Sequence, residues 1–263
     1  MQMLVSTFWE SALAQSERPL FIQTLSFPAS ARLLVLAPHP DDFDAIGVTM
    51  RHFRDKGNPI DVGVVTSGAS GVEDSFCTPS TLEMKALVRE SEQQESCRFF
   101  GLPEDRLTFL RLLEDDSGHP IESDENVGRI RRYLIEKQPE VVFLPHGNDS
   151  NPGHQHTHSM LRTLATELGF PQVAFLNRDP KTIEMRDDAY MVFGETEAAW
   201  KAELLRNHRS QHQRNLNTRG YGFDERILRV NREIAAKYVG ADHQYAEAFE
   251  VELFAREEPH SRN

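Results

Sequence analysis

The sequence predicts an α/β fold, Rossmann-like, with a mostly parallel sheet flanked by helices on both faces. Two observations carry this. Short apolar runs, Leu33–Ala37, Ile60–Thr66 and Val141–Leu144, alternate with longer stretches of helical periodicity, as strands buried on both faces and joined by helices do. In addition, Leu33–Ala37, a helix over residues 44–56 closed by Gly57, and Ile60–Thr66 make a βαβ unit with an expected right-handed crossover.

The remaining elements follow in order. Ser67–Gly71 is a glycine-rich loop suited to passing close to a ligand. It lacks the lysine and Ser/Thr of a phosphate loop, and no G-x-G-x-x-G follows Leu33–Ala37, so a nucleotide is not implied. Residues 81–100 read as a long amphipathic helix ended by Gly101, Leu107–Leu112 as a third strand, Ser123–Glu136 as a helix and Val141–Leu144 as the fourth strand. Asn151 and Pro152 form an N-cap and N1 pair for a helix whose buried stripe is Leu161, Leu164, Ala165 and Leu168. Beyond it, Val173–Leu176 and Tyr190–Phe193 are expected as strands, Thr196–Asn207 and Asp224–Tyr238 as helices, and Phe249–Phe254 as a late strand. Nothing in composition divides the chain, so residues 1–263 are expected to form a single domain with disordered ends at 1–18 and 257–263.

Charge and cysteine content exclude several classes. Forty-one acidic against 29 basic residues give a formal charge of -12, with no basic patch interleaved with aromatics, which argues against nucleic acid as a partner. Cys77 and Cys97 cannot make a disulfide framework and lack zinc-knuckle spacing. No stretch approaches a membrane span, and the first ten residues have no basic region, so a cytoplasmic protein without a membrane partner is expected. A homo-oligomer is left open.

The chemistry gathers at two strand ends. His39, Asp41 and Asp42 leave the Leu33–Ala37 strand, and His154, His156 and His158 follow Val141–Leu144. An Asp-Asp pair alone is an ordinary polar turn or cap; the second cluster makes a shared metal ion the better reading. His39, Asp42 and His154 can supply the three ligands of a catalytic zinc site, with one position left for water. Asp41 is then free to take a proton. His158 lies four residues from His154 on the same expected helix face, which makes it a supporting group or an alternative ligand, whereas His156 points elsewhere, to the surface.

These motifs resemble the LmbE/PIG-L-like zinc-dependent deacetylases, which remove acetyl groups from N-acetylglucosamine-type substrates, and the resemblance covers most of the chain. His39-Pro40-Asp41-Asp42 matches the family's opening motif, implying that His39 and Asp42 are metal ligands and Asp41 the general base. Asp149-Ser150-Asn151-Pro152-Gly153-His154 resembles the second motif, Asp-x-His-Pro-Asp-His, with His154 as third ligand. Arg89, within Arg89-Glu90-Ser91-Glu92, is similar to the basic residue lining the sugar pocket, and Asp116 to the aspartate that bonds a sugar hydroxyl. Lys201 with His208-Arg209-Ser210-Gln211 resembles a late family helix, and Tyr245–Phe249 its closing strand. The resemblance implies zinc or another divalent transition metal as cofactor and a small-molecule amino sugar as substrate.

Three positions depart from the family pattern. Phe43 stands where many members carry Glu, with Asp44 one place later; Asn151 replaces the first histidine of the second motif and Gly153 its aspartate. Asn151 can donate a hydrogen bond to an oxyanion but cannot deliver a proton. The proton for the leaving amine must then come from Asp41 or from His208. Hydrolytic N-deacetylation of an amino sugar or its conjugate is the expected activity. The departures keep two alternatives in view: an N-acyl amidase for a non-sugar amine, and a non-catalytic metal- or carbohydrate-binding protein. The aglycone is not encoded in any readable motif.

Overall fold

In the computed structural model, residues 5–15, 19–240 and 243–254 are described. Runs of β-branched and aliphatic residues become strands buried on both faces: β1 (Leu20–Phe21), β2 (Leu33–Ala37), β3 (Ile60–Val64), β4 (Leu107–Phe109), β5 (Val141–Pro145), β6 (Val173–Asn177), β7 (Ala189–Phe193) and β8 (Tyr245–Leu253). They form one eight-stranded sheet in the order β1-β7-β8-β6-β5-β2-β3-β4. All pairings are parallel except those of β8, which runs antiparallel to both β6 and β7. A mixed α/β fold with a mostly parallel sheet is thus what the molecule adopts.

Alternate residues of each strand feed opposite layers. Leu33, Val35, Val141, Phe143, Val173 and Phe175 face one core, and Leu34, Leu36, Val142, Leu144, Ala174 and Leu176 face the other. Helices α5 (Asp124–Lys137) and α6 (Pro152–Leu168) cover the second face. The first is covered by α1 (Val5–Gln15), α2 (Asp42–Ala45), α3 (Gly47–Asp55), α4 (Leu82–Phe100) and α7 (Glu195–Arg206). Helices α8 (Arg209–Arg219) and α9 (Phe223–Ile234) complete the chain before β8. The N-cap expected at Asn151 forms, its side chain accepting the Gly153 N–H, and Thr81 and Ser123 cap α4 and α5 by accepting the N–H groups of Met84 and Asn126. On β3, Gly63 leaves room for Tyr133; a Cβ there would meet the ring at 2.5 Å.

Several local expectations need correction. Residues 5–15, within the end expected to be disordered, form α1. Its Val5 and Trp9 are buried in the core, and the Trp9 ring meets Phe175 edge-on at 4.7 Å. The helix has no acidic first turn or basic last turn, so tertiary packing rather than local signals defines it. The tail 257–263 lies outside the described residues. The helix expected over 44–56 breaks at Ile46, whose φ of -114° and ψ of 25° are not helical, into α2 and α3. The third strand stops at Phe109, and the last begins at Tyr245.

The order of strands fixes where chemistry can sit. From β2 the chain proceeds through β3 and β4 to one side, whereas β5 and β6 lie on the other. Between β2 and β5 is therefore a topological switch point, where the loops at the carboxyl ends part and open a crevice.

Candidate metal centre

The two motifs leave the adjacent ends of β2 and β5 and meet in that crevice. His39, Asp42 and His154 bring ligand atoms within 4.8 Å of one another. His39 Nδ1 stands 3.3 Å from Asp42 Oδ2, and His154 Nε2 stands 3.6 Å from Asp42 Oδ1. Ligands about 2.0–2.1 Å from a tetrahedral cation are separated by about 3.3 Å, so two imidazoles and a carboxylate at these distances fit a divalent cation. Burial would raise the Asp42 carboxyl. The charge of His154 and the ring and backbone N–H of His39 outweigh it and hold Asp42 well below the usual carboxylate range.

His154 is supported by Asp149, to which the sequence assigns no role. It is fully buried; its Oδ2 lies 3.2 Å from His154 Nδ1, the ring nitrogen that does not face Asp42, and its Oδ1 accepts the Asn151 N–H at 2.7 Å. A carboxylate on the far nitrogen orients a ligating histidine and fixes its tautomer. Burial opposes protonation of His154, but Asp42, Asp149 and Asp179 together raise its pKa above the ordinary histidine value. Asp149, His154 and Asp179 also cluster as carboxylates around one imidazole. Burial pushes the Asp179 carboxyl up, His154 opposes this, and Asp42 and Asp149 add to it.

Asp41 diverges from Asp42, as two successive turn residues should. It has φ 105°, in the left-handed region that a non-glycine residue occupies only when its surroundings insist. Those surroundings are on α4. Gln93 Oε1 accepts the Asp41 N–H at 2.8 Å, and Arg89 Nη2 donates to Asp41 Oδ2 at 2.7 Å and to the Pro40 carbonyl. Arg89 and Gln93 are four residues apart and share one helix face; that spacing was the available sequence signal for Gln93. Arg89 lines the cavity, yet it is only 2% exposed and its Nη2 is engaged by the Asp41 turn.

The late segment braces this arrangement. His208 is the N-cap residue of α8, 0% exposed, with Nε2 2.8 Å from Asp44 Oδ2; its ring is absent from the cavity lining. Asp44 also accepts from Ser96 and from Gln93 Nε2, so His208 connects to Asp41 through Asp44 and Gln93. The Ser210 N–H and Oγ both donate to Glu92, at 2.6 and 2.7 Å, and Gln211 reaches the Gly71 carbonyl. Lys201, fully buried, donates to Glu247, Asn231 and the Ala45 carbonyl at the end of α2. Burial lowers the Lys201 pKa, with Glu247 opposing.

The other expected residues are placed as follows. Asn151 lines the cavity beside the ligands; its Oδ1 accepts the Gly153 N–H at 3.0 Å, which leaves Nδ2 free to donate. Gly153 lies under His39, and a Cβ there would stand 2.9 Å from His39 Nε2. A side chain at this position would therefore require the His39 ring to shift. Asp116 is exposed on a turn where Asp115 takes the backbone bonds, and the neighbouring Ser117, Gly118 and His119 line the cavity in its place. His158 corrects an expectation: one turn along α6, about 5.4 Å further from the site, its Nε2 stands 3.2 Å from Glu252 on β8 and its ring stacks on His146. His156 is half-buried, with Nδ1 2.8 Å from the Pro120 carbonyl.

With this geometry in hand, comparison with a family model decides the kinship: the model described as PIG-L, GlcNAc-PI de-N-acetylase, matches residues 34–168, more than half of the chain. The chain belongs to the PIG-L family. Comparison with curated proteins gave no match. Among solved structures, an N,N'-diacetylchitobiose deacetylase from Pyrococcus horikoshii, in complex with its inhibitor MPG, superposes with TM-score 0.70 at 18% identity, covering 96% of this chain and 94% of that one. A deacetylase of the teicoplanin biosynthesis pathway gives 0.65 at 16% identity, covering 85% and 98%. The 4-carboxy-2-hydroxymuconate hydratase of Pseudomonas putida KT2440 gives 0.56 at 17% identity, covering 88% and 99%. At such identities the likeness establishes the fold. A hydratase among these structures illustrates why the reaction must be argued from the site.

Among the described residues no helix is long and apolar enough to cross a membrane.

Proposed function

We propose that this PIG-L family member is a zinc-dependent hydrolase that removes the N-acetyl group from an N-acetylglucosamine-type sugar or conjugate. The observation that carries the reading is the convergence of His39, Asp42 and His154 in a cavity that also receives Asp41, a carboxylate outside the ligand set. Two imidazoles and one carboxylate are a donor set that suits zinc and leaves a position open. A cation held by His39, Asp42 and His154 would supply a water of lowered pKa and would polarise the acetyl carbonyl.

The chain's own residues do the rest. Asp41 takes the proton of the attacking water, its side chain aimed by the ion pair to Arg89. Asn151 Nδ2 donates to the carbonyl oxygen as charge develops on it. Asp41 then returns the proton to the leaving amine, which cannot depart unprotonated. His208 is closed off from the cavity and bonded to Asp44, a placement that favours Asp41 as the proton carrier and gives His208 a positioning role.

Acetate release from a panel of N-acetylglucosamine derivatives by the zinc-loaded protein tests the proposal. Release from at least one derivative is expected. No release from any of them overturns it.

A further inference from the structure

The loop between the sheet and the helix that carries His154 is closed by a histidine outside the cavity lining. β5 ends at Pro145, and α6 begins at Pro152. Between them lie Asp149, whose carboxylate stands beside His154 Nδ1, and Asn151, which lines the cavity. One edge of this loop is stitched to the segment after β6. The His146 N–H donates to the Asn177 carbonyl at 3.1 Å and the Ser150 N–H to the Lys181 carbonyl at 3.1 Å, while the Asn148 carbonyl accepts the Ile183 N–H at 2.9 Å. The turn inside the loop is closed by a side chain: His146 Nδ1 accepts the Asn148 N–H at 2.9 Å. A bond to the N–H two residues on is the one by which Asn and Asp side chains build turns. Gly147, between the two, lies against the His158 ring, and a Cβ there would collide with it.

The partners of the His146 ring fix where its hydrogen is. A backbone N–H can only donate, so Nδ1 carries none; the Glu250 carboxylate, 3.3 Å from Nε2, can only accept, so the hydrogen is on Nε2. The ring is therefore neutral. Glu250 is itself paired with Arg186, through the guanidinium and the backbone N–H, both at 2.8 Å. The His158 ring of α6 stacks on His146 with centroids 6.3 Å apart and faces Glu252, which Arg162 also pairs. Burial lowers the His146 pKa; Glu250 and Glu252 oppose this, and His158 adds to it. A second proton could go only to Nδ1, where it would set one N–H against another and abolish the bond that closes the turn.

We infer that neutral His146 is a positioning residue for the metal centre: it holds the turn that aims Asp149 at His154, and uptake of a second proton releases that turn and weakens cation binding. The inference rests on the reading of His39, Asp42 and His154 as metal ligands and is independent of the substrate. His146 touches none of the three, so its effect passes through Asp149.

Zinc affinity of the full-length protein, measured by competition with a chelator at pH 7.5 and pH 5.0, tests it. His146→Ala is expected to weaken zinc binding at pH 7.5 by about 10-fold, as loss of support behind a ligating histidine does. In an Asp149→Asn background the same change is expected to cost little more, because both act through one carboxylate. His146→Asn keeps an acceptor for the Asn148 N–H and cannot take up a proton. It is expected to bind zinc within about threefold of the native protein at pH 7.5, and about threefold or more tighter than the native protein at pH 5.0. Protonation of His39 and His154 at the lower pH is common to both proteins and cancels in the ratio. Native affinity in a folded His146→Ala protein, a loss of about 10-fold on top of Asp149→Asn, or a native-to-His146→Asn ratio equal at the two pH values overturns the inference. The last comparison stands even if the alanine variant does not fold. If the native protein takes up no zinc, the metal-centre reading has failed, and the turn is then judged by hydrogen exchange at the Asn148 amide. Protection lost at pH 5.0 in the native protein and kept in His146→Asn supports it, and equal protection in the two proteins at pH 5.0 overturns it.

Discussion

The two ends of the cavity are built on opposite principles. At the inner end, His154 has the Asp42 carboxylate beside one nitrogen and that of Asp149 beside the other, and Asp41 is gripped by Gln93 and Arg89 in a left-handed conformation it would not adopt unaided. At the outer end, Arg226 lines the cavity, and among the described residues no hydrogen bond or ion pair holds its side chain, although the charges of Asp179 and Asp41 act on it. A pre-arranged inner end suits a reaction whose charges must be met without reorganisation. An uncommitted outer end suits recognition, since a group already paired within the protein gains little by pairing with a ligand. Chemistry and selectivity are thus separated along one cavity.

That contrast can be broken by substitutions at the inner end, which should lower kcat more than they raise KM. The largest such effect short of removing a ligand or the base is expected at Asn151. Asn151→Ala removes the proposed oxyanion donor and should reduce kcat by roughly 100-fold, with metal content unchanged. A raised KM with kcat unchanged would show that Asn151 belongs to recognition instead. A smaller effect is expected at Asp149. Asp149→Asn should weaken metal binding by about 10–100-fold, read as a shift of the chelator concentration that halves activity, because His154 loses the carboxylate that orients it. Unaltered metal affinity in this variant would remove Asp149 from the metal-supporting set.

Much of the inner end was legible in the sequence because its residues are local. His39, Asp41 and Asp42 are consecutive or nearly so at the end of an apolar strand, and Asn151-Pro152 announces the helix that carries His154. What was not legible depended on distant packing. Asp149 sits two residues before a recognised cap, yet nothing local says that its side chain turns inward to His154. His158 has the spacing of a neighbour of His154, but one turn of rise carries it to Glu252 on β8. α1 lacks charge-matched ends and became visible only through Trp9 packing on Phe175. Arg226 lay inside a helix expected from its amphipathic pattern, where an arginine reads as a solvated face. Its place in the cavity follows from how α8 and α9 close over the strand ends, and short-range patterning carries no record of that. The same holds for the role of Gly153: as a departure from a motif it suggests a missing aspartate, and in three dimensions it is the floor on which His39 rests.

The central claim is that metal binding and proton transfer belong to different carboxylates of the Asp41-Asp42 pair. Parallel measurement of zinc content and acetate release in Asp41→Asn and His154→Ala tests it most directly. Asp41→Asn is expected to keep its zinc while its rate falls by roughly 10²–10⁴-fold, and His154→Ala to lose both zinc and turnover. Full zinc occupancy in His154→Ala, or native turnover in a zinc-loaded Asp41→Asn protein, would contradict the account.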